Sequence, residues 1–471
     1  MLKFNIKISS VLTARRVVQG RCLGNRQTKR KKPSSEKKSI DDMSRKKASN
    51  EIGGGMRSPK GVNRRRFNQW LAASSIAGAS GAVFGKQTGD NKHVAVIGAG
   101  IVGSSIAYHL SKLGVRVTLI ERETVASGAS HGTFAWINAT WAKQPRHYHA
   151  FSQQGVSSWH RLQKDLDLPI VWGGSLEWFA SESRQTRLAS DITEQKAWGE
   201  PASILTGAEA QAREPAVNFQ GATQVASSPR DGAIDPVLVS KALVAAAIQQ
   251  GAQVLERCEV LDVDDSSDDK GKLLRTSCGP IEVDRVVLAT GPDPAAVQRF
   301  AGFDLPQRST PGVIVVTRPV KPLLRGILVA PGIHIHQRMD GRLVIGEQEG
   351  APDNAAHAER LADRPKRFPD DSAADQHAQR LLATTRDYLP SIGEAEVDEV
   401  MIGWRPLPVD GHPVIGPSPT DDHVYVAIMH SGVSLAAITG DLVARELANG
   451  VEMALLQPFR ADRVFDTKNR Y

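Results

Sequence analysis

The sequence predicts an α/β protein: a parallel dinucleotide-binding unit, followed later in the chain by strands of antiparallel hairpin type. Three observations predict it. A strand, a glycine-rich turn, a helix and a second strand follow one another from His93 to Glu121. Short β-branched runs separated by a hairpin turn lie between Val313 and Ile345. The chain, at 471 residues and 41% apolar, is long enough for a large core and for more than one domain.

Residues 1–90 read as a disordered basic leader. Met1–Arg66 holds 20 Lys and Arg against 4 Asp and Glu, so the rest of the chain carries 39 basic and 47 acidic residues. The formal charge of +8 therefore belongs to the leader. A mildly acidic body argues against nucleic acid as a partner. Arg64-Arg65-Arg66-Phe67 precedes an uncharged stretch to Gly85, with small-residue sites at Ala77-Gly78-Ala79 and Ser80-Gly81-Ala82. This order resembles a twin-arginine export signal and predicts an exported, periplasmic protein; the alternative is a chance match in a basic tail and a cytoplasmic protein. Met56 opens a leader of more ordinary length for such a signal and is the expected initiator. The apolar run is shorter than the ~18 residues of a spanning helix, so no stable membrane span is expected.

The dinucleotide unit comes next. His93-Val94-Ala95-Val96-Ile97 is an apolar run of buried-strand type. Gly98-Ala99-Gly100-Ile101-Val102-Gly103 follows at once, Ser104 to Leu113 reads as a helix, and Val115 to Ile120 as a second strand. Gly98 permits the tight turn, Gly100 lets the backbone approach a pyrophosphate, and Gly103 lets helix and strand pack closely. The helix N-terminus offers free N–H groups and a partial positive charge to phosphate. Glu121, 23 positions after Gly98, can accept hydrogen bonds from ribose hydroxyls. An acid there favours FAD or NAD over NADP.

Later segments decide between them. Glu121-Arg122-Glu123-Thr124-Val125-Ala126-Ser127-Gly128-Ala129-Ser130 follows the second strand, and Arg230-Asp231-Gly232-Ala233-Ile234-Asp235-Pro236 precedes a helix from Val237 to Gln250. Val286-Val287-Leu288-Ala289-Thr290-Gly291 is a strand ending in Ala-Thr-Gly. Trp404-Arg405-Pro406 leads into Asp410-Gly411-His412-Pro413-Val414-Ile415-Gly416, and then come His430-Ser431-Gly432-Val433 and Thr439-Gly440. In this order the segments resemble the D-amino-acid oxidase / glycine oxidase superfamily of FAD-dependent oxidoreductases, from His93 to about Gly450.

The resemblance implies an FAD-binding Rossmann-like domain with an interleaved antiparallel-sheet substrate domain. The FAD domain would collect residues 91–150, 219–300 and 400–460, and the substrate domain 151–218 and 301–399. Cofactor contacts are implied at Gly98, Gly100, Ile101, Val102, Gly103, Glu121, Arg122, Ser130, Ala289, Gly291, His430, Gly432 and Val433. Val313–Thr317, Gly332–Arg338 and Leu343–Ile345 read as successive strands, with Met339-Asp340-Gly341-Arg342 as a hairpin turn. His357 to Thr385 is polar, Ala-rich and periodic, and reads as a helix. No second GxGxxG occurs in the body, which argues against separate FAD and NADPH sites.

The activity implied is oxidation of the C–N bond of a small amine or amino acid, of the D-amino acid, glycine or sarcosine type, by hydride transfer to flavin N5. Oxygen or a quinone would take the electrons. Arg405 matches the family's arginine that holds a substrate carboxylate, a task suited to a planar guanidinium. His334 and His336 lie two apart on a predicted strand and share a face, either over the substrate or toward solvent. Trp404 is bulky where many relatives have a smaller residue. The loop at His430-Ser431-Gly432 lacks the arginine of glycine oxidase, which tells against glycine as substrate. Two other readings stay open: an FAD-dependent dehydrogenase of another small acid, and an FAD-binding protein without turnover.

Three cysteines, Cys22, Cys258 and Cys278, form no CxxC, so neither a redox dithiol motif nor a zinc site is suggested. No cysteine follows Cys278, and His131 stands three rather than four residues after Gly128, so the FAD is expected to be non-covalent. Arg257–Val263 and Lys272–Cys278 read as two strands around the polar turn Asp264–Gly271. Cys258 and Cys278 should then stand opposite each other or one place out of register. In the first case a disulfide is geometrically open to them.

Overall fold

His93–Ile97 is apolar and buried along its whole length because it runs through the middle of a sheet covered on both faces. The computed structural model describes residues 92–139, 143–267, 270–347, 364–368 and 370–466. The leader and its twin-arginine-like signal lie outside these described residues. The six-stranded sheet runs in the order Val414–Pro417, Val424–Ile428, Arg285–Leu288, His93–Ile97, Arg116–Ile120, Gln253–Leu255. Every pair is parallel except the first. Helices Ile101–Lys112, Pro236–Gln249 and Gly432–Asn449 share the core on one face. A Cβ on Gly440 would stand 2.2 Å from Ser105 Oγ, so glycine is what lets two of these helices cross in contact.

The opposite face carries helix Pro294–Ala301 and an antiparallel meander, Val260–Asp265, Lys272–Thr276 and Gly279–Val283. The meander confirms the expected hairpin, with its pairing near the turn two residues later, and the turn's tip at 268–269 lies outside the described residues. A bulge between Val260 and Asp262 takes up one of the two and pairs Val260 with Thr276. Continued two places, that register sets Cys258 against Cys278. Both thiols are free: Cys258 is buried and donates to Thr276 Oγ1 at 3.4 Å, while Cys278 is exposed.

A second, eight-stranded sheet runs Val397–Pro408, Gln307–Thr317, Leu343–Glu347, Ile333–Gln337, Ile327–Ala330, Ser175–Glu177, Gln224–Ser228, Ser203–Thr206. Only the pairing of Ile327–Ala330 with Ser175–Glu177 is parallel. Side chains alternate between its faces. Val313, Val315, Leu328, Ile333 and Ile335 pack beneath helix Asp371–Tyr388. Ile314, Val316, Ile327, Val329 and Val344 face the other way, toward Phe134 and Met401. The hairpin at Arg338–Arg342 forms as expected, with Gly341 at φ 90°. The helix expected from His357 begins instead at Asp371, where Asp370 Oδ1 accepts from Ala373 N–H; residues 357–363 lie outside the described residues.

Interleaving goes further than the expected segment boundaries. Gln224–Ser228, assigned to the 219–300 FAD segment, pairs instead with Ser175–Glu177 in the eight-stranded sheet. Val397–Pro408, expected to change domain at residue 400, pairs with Gln307–Thr317 along its whole length. Backbone pairing, which sequence segments do not display, decides both cases.

Candidate active site

A cavity of about 940 Å³ lies between the two sheets. At one end is the glycine turn. A Cβ on Gly98 would stand 2.5 Å from Ala289 O, and one on Gly103 would stand 1.9 Å from Gly98 O. Helix Ile101–Lys112 starts three residues earlier than the sequence suggested, because Gly100 is its N-cap and carries no capping side chain. Ser130 Oγ accepts from Ile101 N–H at 2.9 Å. The Glu121 carboxylate folds back over the turn, accepting from Ala99 N–H at 2.9 Å and Glu123 N–H at 3.0 Å. Arg122 stands at the rim, 3.7 Å from Asp293.

The far wall is the inner face of the eight-stranded sheet. Ladder partners place Glu177, Val329, His334, Gly346, Ile314 and Met401 in one row across six strands. All of them except Gly346 line the cavity. Gly346 leaves room for its neighbour: a Cβ there would stand 2.2 Å from His334 Nε2. Gly312 does the same for Arg405, whose Nη2 would be 2.6 Å from its Cβ. Both side chains therefore lie across the sheet. Phe134 closes on His334 with ring centroids 4.0 Å apart.

The third side is the loop entering helix Gly432–Asn449. Lys143 Nζ and Tyr148 Oη both donate to Ser431 Oγ, at 2.7 and 2.9 Å, and Trp159 Nε1 donates to Val433 O at 2.8 Å. Gly432 packs on Val102, where a Cβ would come within 3.3 Å.

Electrostatics divide the cavity. Arg405 is half-buried and makes no hydrogen bond or ion pair with a described residue. His334 is lowered to about 3 by burial, then by Arg405 and His336. His430 is lowered to about 3 by burial, then by Arg405 and Lys143. Both imidazoles are thus neutral beside two cations. Away from Arg405, burial raises Glu177 to about 8 and, against the pull of Lys143, Asp231 to about 7. Asp231 is bonded to Ser175 Oγ at 2.7 Å and Trp136 Nε1 at 2.9 Å.

A family model for FAD-dependent oxidoreductases, the DAO family, matches residues 93–446. The chain belongs to this family. It is 28% identical over 381 residues to the glycine oxidase of Geobacillus kaustophilus, covering 79% of this chain and 96% of that one. The crystal structure of glycine oxidase from Geobacillus kaustophilus superposes with a TM-score of 0.70 at 27% identity, covering 80% of this chain and all of the other. Mitochondrial sarcosine dehydrogenase of Mus musculus is 30% identical over 277 residues, or 55% of this chain and 29% of its own length. The protein is an FAD-dependent enzyme of α/β fold.

The residues present in this oxidoreductase fit FAD. Two glycines admit no side chain, the helix starts at the cavity wall with a glycine N-cap, and an acid stands over the turn. Of the sequence-derived candidates, Gly98, Gly100, Ile101, Val102, Glu121, Arg122, Ser130, Ala289, Gly291, His334, Arg405, His430, Gly432 and Val433 line the cavity. Gly103 does not; it serves the helix–turn contact instead. His336 is the clearer correction. It shares the face of His334, but it is buried against Phe134 O at 2.8 Å and does not reach the cavity. His131, Nε2 3.6 Å from the Glu399 carboxylate, lines the cavity as well. Glu177 and Lys143 were missed, as was the role of Asp231. The available signal for Glu177 was a single acid inside the apolar run Leu176-Glu177-Trp178-Phe179.

Proposed function

We propose that this oxidoreductase oxidises the C–N bond of a small amino acid whose carboxylate is held by Arg405. The observation that carries the proposal is the Arg405 guanidinium: it lines the cavity, lies flat over Gly312 and has no partner among the described residues. A planar, desolvated cation of this kind matches a carboxylate in two parallel hydrogen bonds. Bound FAD supplies the two-electron acceptor for the C–H bond that breaks.

The chain's own residues bind and orient the substrate. Neutral His334 and His430 leave the charge of Arg405 for the substrate. Apolar Ile314, Val329, Phe134 and Met401 exclude water around the reacting carbon. The N-terminus of helix Gly432–Asn449 directs backbone N–H groups toward the cavity and favours negative charge there. No acid or base needs to touch the α-carbon. FAD is held without a covalent link, and oxygen or a quinone takes the electrons. The twin-arginine-like leader supports an exported protein.

The test is anaerobic flavin bleaching with D- and L-amino acids, glycine, sarcosine, proline and lactate. Bleaching by an amino acid supports the reading. Bleaching by lactate alone would replace it with a 2-hydroxy-acid dehydrogenase, and a flavin oxidised throughout would leave a binding protein without turnover.

A further inference from the structure

We propose that Glu177 forms a subsite for a distal cation on the substrate, so that amino acids with a basic side chain are preferred. The inference rests on Arg405 holding the carboxylate.

Glu177 is only 5% exposed, lines the cavity, and its Oε1 has no hydrogen-bond partner. A buried carboxyl group left unpaired is costly, and native structures pair such groups unless a ligand does so. Neighbouring Asp231 shows what a structural buried acid looks like in this fold. It is equally enclosed, but it is bonded to Ser175 and Trp136. Glu177, which feels the charge of Asp231, lacks such bonds.

Its position in the row gives the length of the ligand. Gly312, beneath the Arg405 guanidinium, and Glu177 stand four strand steps apart in the sheet order. At about 4.8 Å a step, their backbones are roughly 19 Å apart, less where the sheet twists. Two side chains leaning inward shorten the gap, but an ammonium and a carboxylate on one carbon cannot span it. A carboxylate and a cation separated by several methylenes can. Val329, between Glu177 and His334, offers apolar surface to such methylenes.

Charge agrees with the geometry. Arg405 acts on His334 and His430 at one end and is not among the groups acting on Glu177, while Lys143 acts on both His430 and Asp231. The groups acting on Glu177 are Asp231 and Asp191, which raise it, and Arg184, which opposes them; burial is the largest cause. His334, two strands away, is neutral. Near neutral pH the empty subsite therefore holds a carboxylic acid. A cation arriving beside it favours the carboxylate, and one proton leaves for solvent.

The experiment uses the FAD-loaded enzyme. Anaerobic flavin reduction is compared for both enantiomers of lysine and norleucine, which share a backbone and differ at the chain end. Binding of 6-aminohexanoate and of hexanoate is followed by flavin absorbance and by calorimetry in two buffers of different ionisation enthalpy. Expected is a kcat/KM at least about tenfold higher for lysine than for norleucine, equivalent to about 1.4 kcal/mol. About one proton should be released near pH 7 with 6-aminohexanoate, and none with hexanoate. In Glu177→Gln the lysine-to-norleucine ratio should fall toward one and the proton release vanish. Glu177→Asp should keep part of both. Equal use of lysine and norleucine by the native enzyme, or binding of 6-aminohexanoate without proton release, overturns the subsite and leaves the Arg405 reading standing. A flavin that no amino acid reduces overturns the oxidation reading instead, and the 6-aminohexanoate result still decides Glu177. The native-enzyme measurements stand even if a variant fails to fold.

Discussion

The two walls of the cavity present charge by opposite means. The wall on the six-stranded sheet does so with backbone: two glycines, a helix start with a glycine N-cap and one carboxylate folded over the turn. The wall on the eight-stranded sheet does so with side chains, each on a different strand: Arg405, His334, Glu177. A backbone site has no room for an added atom. A side-chain site admits substitution and changes what it prefers. The first suits an invariant cofactor, and the second a substrate that differs from one relative to another.

The largest effect should come from the backbone wall. In Gly103→Val, a side chain replaces a contact that already places Cβ 1.9 Å from Gly98 O. Overpacking of this kind costs about 3 kcal/mol or more, so FAD affinity should fall roughly 100-fold and the purified protein should be colourless. A yellow protein with ordinary FAD affinity would mean the turn does not hold the pyrophosphate. Next comes Arg405→Ala. Loss of a charge-assisted bidentate pair should raise the half-saturating amino-acid concentration for flavin reduction by roughly 30- to 100-fold while FAD stays bound. Arg405→Lys should recover only part of this. Unchanged half-saturation would remove Arg405 from the site and with it the contrast between the walls.

The far wall also carries a pH signature. His334 and His336, both on its inner face, and His430 are lowered by burial to about 3 from an ordinary 6.5. The unfolded chain therefore takes up protons below pH 6.5 that the folded chain refuses. Their contribution to stability is complete above pH 6.5 and is lost as pH falls toward 3, at up to about 1.4 kcal/mol per pH unit for each. Glu177, raised to about 8, acts in the opposite sense: its folded form binds the proton, so stability is lost as pH rises from the ordinary carboxylate range through 8. His336→Gln keeps a donor for Phe134 O and should flatten the acid limb of the urea midpoint by about one proton. An unaltered limb would show that His336 is protonated in the folded enzyme. The smallest effect belongs to Arg122→Ala. Its ion pair with Asp293 is long and half-exposed, so FAD affinity should change by less than about threefold. A tenfold loss would show that a side chain shares the work of the backbone wall.

The same contrast explains what the sequence made legible. Gly98, Gly103 and Glu121 stand within 24 consecutive residues, so one local motif displays strand, turn, helix and acid together. Arg405 was recognisable through the residues flanking it. Glu177 was not, because its neighbours in the row, Val329 and His334, are supplied by strand pairing across more than 150 positions. His336 was placed on the right face, since alternation is local, but only Phe134 decides that it is buried rather than free. Segment boundaries failed for the same reason at Gln224–Ser228 and Val397–Pro408, where distant partners set the sheet.

Asn138 N–H donates to Ser434 Oγ across 296 positions, and the parallel pair Arg285–Leu288 with Val424–Ile428 completes the sheet almost as late. Such contacts form only after long loops have closed, which makes folding slow. During synthesis the glycine turn leaves the ribosome long before the helix that will seal the cavity over it. The growing chain therefore has no finished pocket to offer. Cofactor loading is thus a late event, after that helix has docked, and the yield of active enzyme should depend on how much FAD is present in the compartment where it docks.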